Sequence, residues 1–169
     1  MASLITSTAQ SMLQSDPISG RCGSATVIIG NSVEELFDAR NISAQTELQT
    51  EDVLRMGVLG TGSKIYGWKG TGSMELYYIS ARFRDLFLGY YASGIMLPFQ
   101  LTIENSDNAS TAGKNTVTLI GCQLSGTLDL GKIDSASGIL TETVNFTFTD
   151  VIYTNTFSDP LIEQVKGLV

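Results

Sequence analysis

The chain has 169 residues, 43% hydrophobic and 16% charged, with a formal charge of -7 and a mean hydropathy of +0.14; it suits one domain with a full core, and a charged share below the usual ~25% implies that a partner covers part of the surface. The acidic balance and ten scattered Lys and Arg residues argue against gripping nucleic acid, which takes clustered cations. With no histidine and two cysteines, Ser-His-Asp and Cys-His catalysis and nearly every transition-metal site are excluded, so no catalytic, cofactor-binding or metal residue is expected.

Residues 1–17 are rich in Ser, Thr and Gln and end on Asp16-Pro17, a turn signal. They read as an N-terminal arm, either disordered in a monomer or ordered against a neighbour in an assembly. They lack the basic start and apolar core of a signal peptide, and no run approaches the ~18–20 apolar residues of a membrane helix. The expectation is a chain made and used in the cytosol, with no membrane contact. Cys22 sits in an expected turn and Cys122 on an apolar strand face. A disulfide and two reduced thiols both remain open, with reduced thiols favoured because the spacing carries no signature.

Ser24 to Gly30 reads as a short strand, and Asn31-Ser32 as a tight turn. From Glu34 to about Leu48 the apolar residues keep no single period. A helix fits part of that stretch, but the strand and turn before it favour a long bent strand with a bulge. Between Gly57 and Gly67, four glycines interleave with Val58, Leu59, Ile65 and Tyr66. A flexible backbone here carries apolar groups that a solvent loop has little use for.

From Trp68 to Tyr78 the even positions are Trp68, Gly70, Gly72, Met74, Leu76 and Tyr78, and the odd ones include Lys69, Thr71, Ser73 and Glu75. Period two predicts a strand with one polar face. The period then changes. Phe83, Leu86, Phe87, Tyr90 and Tyr91 fall at i, i+3, i+4, i+7 and i+8, which predicts a helix over about 80–93, capped by Ser80, ended by Gly94 and packing its aromatic stripe on the core.

Ile95 to Glu104 predicts a strand that Pro98 places at its start, and Asn105 to Asn115 a solvated loop. Thr116 to Lys132 reads as strand throughout. Its apolar set moves from Val117 and Leu119 to Cys122, Leu124, Leu128 and Leu130, so a bulge or bend is expected at Gly121. Thr141 to Asp150 closes the sheet with Val144, Phe146 and Phe148 inward, and residues 153–169 read as a C-terminal arm around a domain of residues 18–152.

Several strings resemble functional motifs by accident. GVLGTGSK at Gly57 to Lys64 misses a phosphate-binding loop, because Ser63 stands where the lysine belongs and a strand follows instead of a helix. Three Asn-x-Ser/Thr triplets at Asn41, Asn108 and Asn145 are what a Ser/Thr/Asn-rich chain produces by chance. The carboxylate pairs Glu34-Glu35 and Glu51-Asp52 lie in polar stretches where solvated acids are the default.

The loop closing on Ile65-Tyr66-Gly67, the Gly70-Thr71-Gly72 strand, the helix with Phe83 and Tyr90, and the Val144 to Asp150 strand occur together in one order. In these the chain resembles, over roughly Ile18 to Pro160, the tail tube proteins of contractile-tailed phages and of PBSX-like phage-tail-like particles. The resemblance implies a mainly β fold: a small barrel or sandwich of two packed antiparallel sheets with one helix, an extended assembly loop and terminal arms. It also implies six copies per ring, rings stacked into a tube, sheath, baseplate, tape-measure and tail-terminator proteins as partners, and a place in the virion tail after assembly in the bacterial cytoplasm.

The loop Gly57, Val58, Leu59, Gly60, Thr61, Gly62, Ser63, Lys64, Ile65, Tyr66 is then the expected contact with the next ring or subunit. The hydroxyl, amide and acid positions Thr71, Ser73, Glu75, Asp129, Thr143, Asn145 and Thr147 are the expected lumen, wet and poor in cations, past which DNA moves as transient cargo. A monomeric β-barrel binding a small ligand or carbohydrate is the other reading, and a secreted tube of an injection machine a third.

Overall fold

The computed structural model describes residues 17–157, apart from Arg55, Val58, Ala109, Thr111 and Ser137. The expected N-terminal arm up to residue 16 and the stretch from residue 158 lie outside the described residues. The chain is mainly β. Its elements are β1 (Gly23–Ile29), β2 (Ser32–Glu35), β3 (Ala39–Val53), β4 (Gly62–Tyr77), α1 (Arg82–Ser93), β5 (Phe99–Ser106), β6 (Lys114–Leu124), β7 (Thr141–Phe148) and β8 (Asp150–Asn155). All pairings are antiparallel, in the order β2-β1-β5-β6-β7-β4-β3, with β8 also on β6.

The two halves are joined through β6. Its first part lies between β5 and β8, and Gln123 and Leu124 pair with Thr147 and Phe146 of β7. The corner is at Gly121, where the sequence placed it. Phe99 faces Cys122 while Leu101 faces Leu119, so β6 carries one extra residue there. Gly121 takes φ +66, a left-handed geometry that L side chains resist, and a Cβ at that point would run into the Thr149 hydroxyl. Because the extra residue flips the faces, Leu119 before the corner and Cys122 after it both point inward and are fully buried.

Both halves of the sheet and α1 share one core. Val27, Leu101, Leu119, Met74, Leu76, Val144 and Phe146 are buried in it, with Phe83 and Leu86 from the helix. Phe99 sits between Phe83 and Phe146, with ring centroids at 5.7 and 6.1 Å in edge-on geometry, so one aromatic stack joins helix, β5 and β7.

Some boundaries differ from the sequence reading. The helix N-cap is Ala81, with no side-chain cap bond, and Ser80 instead turns a buried hydroxyl inward; Gly94 does end the helix, at φ 72. Glu34 to Leu48 is not one bent strand: Leu36 is drawn into the core by its backbone bond to Ala25, which separates β2 from β3 and leaves a bulge between Ala39 and Asn41. The strand that begins at Lys114 stops at Leu124 rather than Lys132, since Gly126 turns the backbone at φ +69. Residues 153–155, expected in an arm, belong to β8, which continues β7 past the Thr149 corner and pairs with β6.

Candidate assembly surfaces

Strand alternation on β4 and β7 makes a polar face on the side away from the core. Thr71 pairs with Thr147, Ser73 with Asn145 and Glu75 with Thr143, while the alternate pairs Gly72/Phe146 and Met74/Val144 point inward. Six of the seven residues expected on this face are thus brought together. β3 extends it with Gln45, Ser43 and Asn41 opposite Thr71, Ser73 and Glu75, and Gln123 adds to it beside Thr147. Sequence reading missed the β3 contribution because the apolar residues there are irregular. The signal lay in the polar ones, Asn41, Ser43, Gln45, Glu47, Gln49 and Glu51, which alternate without a break.

Asp129 does not join this face. It lies in the irregular stretch after β6, and its charge acts on Glu142, a member of the inward-pointing set of β7. The face also carries more cations than composition suggested, each opposed by an acid. Lys69 stands opposite Glu47 and Lys64 opposite Glu51, and Arg40 reaches Glu75 at 3.1 Å.

The Gly57 to Tyr66 stretch is only partly a loop. Gly62 to Tyr66 are strand, because β3 continues to Val53 and gives them a partner. β7 pairs with β4 only from Gly70 onward, so the last part of the β3–β4 hairpin projects as a two-stranded ribbon. Its eight β4 residues, Gly62 to Lys69, span about 25 Å at ~3.3 Å each. On the ribbon's core-side face Leu48 opposes Trp68 and Ile65 opposes Thr50. Trp68 touches Phe148, with centroids at 6.1 Å, but Leu48 and Ile65 stay exposed, as do Leu54, Met56 and Leu59 at the tip. Met56 and Leu59 have no cover at all, at 104% and 108% exposure. Val58 lies outside the described residues.

Two arginines in the first turn of α1 hold the helix on the sheet. Arg84 meets Glu142 of β7 at 3.1 Å, donates to the Ser80 carbonyl and stacks 4.2 Å from the Tyr78 ring centre. Arg82 meets Glu34 at 2.5 Å and Asp38 at 3.4 Å. Burial pushes the Glu142 carboxyl above its usual range; Arg84 opposes that shift, and Asp129 and Asp38 add to it. Burial likewise pushes the Cys122 thiol up to about 11, which keeps it a neutral core group. The aromatic stripe splits along its length. Phe83 is buried, yet Tyr90 and Tyr91 are 45% and 81% exposed, so the end of the helix is not packed down as its start is.

The described residues thus form a curved antiparallel sheet with a hydroxyl-lined outer face and an uncovered apolar hairpin. The chain belongs to the phage tail tube protein family, whose model matches residues 10–154. It is 30% identical over 126 residues to the phage-like element PBSX protein XkdM of Bacillus subtilis (strain 168), a match covering 75% of this chain and 85% of that protein. Its fold is similar to a chain in the sheath/tube terminator of the PVC extracellular contractile injection system in the extended state, with TM-score 0.64 at 15% identity over 82% of this chain and 97% of that one. It is also similar to the SPP1 tail tube, with TM-score 0.58 at 10% identity over 89% and 86% of the two chains.

Proposed function

We propose that six copies of this tail tube protein close their polar faces into a ring around a hydrophilic channel. The rings stack head to tail through the β3–β4 hairpin into the inner tube of a contractile phage tail or phage-tail-like particle. The tube is a conduit for DNA or other cargo, and sheath, baseplate, tape-measure and terminator proteins contact its wall and ends.

The observation that carries this reading is the hairpin. A two-stranded ribbon alone is marginal in water, and this one extends beyond its sheet with apolar side chains uncovered. Contact with another copy removes that surface from water. Between stacked rings such a contact joins different surfaces of the two copies and leaves one unused surface at each end, so it extends as a filament. The polar face supports the conduit: its cations are opposed by carboxylates, so a passing polyanion meets no free cationic patch.

Electron microscopy of the concentrated purified protein tests the proposal. Six-fold rings or hollow tubes are expected; a solution that holds only monomers at all concentrations rejects it.

A further inference from the structure

Beside α1 runs a groove of about 710 Å³, walled by one side of the helix, the β1–β2 turn and the segment leading into β5. Ile29, Leu86, Ile95 and Leu97 supply apolar surface, and the charged groups along it are Asp85 and the ion-paired Glu34 and Arg82. Midway along it α1 carries Gly89. Glycine is the poorest helix former after proline, and close approach of a neighbour is one reason for a helix to carry it. Here a Cβ at Gly89 would meet nothing within 4 Å. The subunit itself therefore gives no packing reason for the glycine, and the space it leaves opens into the groove.

We propose that this groove is the socket for the β3–β4 hairpin tip of a copy in the adjacent ring. The inference rests on the tube reading above and names the receiving surface. Tip and socket lie at the two ends of β4, since the tip leads into Gly62 and the groove begins at Ser80 just beyond Tyr77. Sixteen strand residues put about 50 Å between them, so each copy presents a plug at one end and a socket at the other. The chemistry matches: Leu54, Met56 and Leu59 are uncovered at the tip, and Ile29, Leu86, Ile95 and Leu97 give the socket apolar walls, of which Ile95 and Leu97 are themselves more than half exposed.

Gly89→Trp fills the socket from within. With nothing within 4 Å of its Cβ and the groove open beside it, it is expected to keep the parent circular dichroism spectrum and thermal midpoint yet form no tubes. In a Cys22→Ser background, Leu59→Cys mixed with Gly89→Cys is expected to give a disulfide-linked pair on oxidation, and the double variant a ladder running past six subunits. Tubes from folded Gly89→Trp at the parent yield, no cross-link, or a ladder that stops at six overturns the socket while leaving the tube reading intact. If Gly89→Trp fails to fold, the cross-links decide. A parent protein that makes neither rings nor tubes overturns both.

Discussion

Gly70 and Gly72 sit in the interior of a central strand, where glycine weakens a sheet. Their register partners are Phe148 and Phe146, and a Cβ at either position would overlap the partner's ring. The rings lie across the strand over the bare backbone, which restores the packing that a side chain would have given. Gly72→Ala is therefore expected to destabilise the subunit by about 1–3 kcal/mol, read as a lower denaturation midpoint at unchanged slope. Glu142 makes a pH-dependent prediction. Its folded pKa is raised, so protonation favours the folded state, and its contribution to stability grows as pH falls through the raised value towards the ordinary carboxylate range. Glu142→Gln keeps an acceptor for Arg84 and removes the titration. The stability of the parent relative to this variant should rise as pH falls from neutral towards the ordinary carboxylate range, measured by urea unfolding at each pH; a difference independent of pH refutes the assignment.

The β3–β4 hairpin is the element on which assembly is proposed to depend. Leu54, Met56, Leu59 and Ile65 are exposed by more than half. At ~25 cal/mol per Å² and ~100 Å² each, covering them contributes on the order of 10 kcal/mol as an upper bound. Ordering the tip costs ~1–2 kcal/mol per residue, so one contact alone is near balance. Six hairpins engaging together shift that balance, because after the first contact the rest are intramolecular. Replacing Leu59 to Ile65 with a short Gly-Ser bridge removes no core residue and leaves intact the β4 segment that pairs with β7. The expected product is a folded subunit, with the parent near-ultraviolet spectrum, that sediments as a monomer or single ring and gives no tubes.

For the whole molecule, the polar face is proposed to matter only after assembly. Glu75 meets Arg40 at 3.1 Å, with both side chains partly exposed, and such a pair is worth ~0–1 kcal/mol. Glu75→Lys should cost the subunit no more than about 1 kcal/mol. In a tube with six-fold symmetry it turns an opposed pair into a ring of clustered cations facing the channel. DNA ejection from particles carrying the variant is expected to slow, with the defect easing as salt rises, because phosphate contacts are screened. Loss of soluble protein instead would show that the face is part of the fold.

Periodicity is a property of the local chain, and what depends on it was legible in the residues alone. That holds for the strand alternation of Gly70 to Leu76 and of Val144 to Phe148, the onset of a helical stripe at Phe83, and the corner at Gly121. The last was visible because one extra residue must move the apolar set from odd to even positions. Burial depends instead on which distant surfaces meet, and there the tertiary structure decided. Gly62 to Tyr66 are strand because Thr50 to Val53 lie beside them, and residues 150–155 are strand because β6 has an edge for them. Tyr90 and Tyr91 continue the stripe of Phe83 and Leu86 but stay exposed, Tyr90 over a hollow beside Leu124 and Val144 and Tyr91 almost wholly in solvent. Glu142 is a buried acid because a helix 58 residues away in sequence supplies Arg84. The sequence carries each side chain's preference for water; the partners that satisfy or deny it are set by long-range pairing.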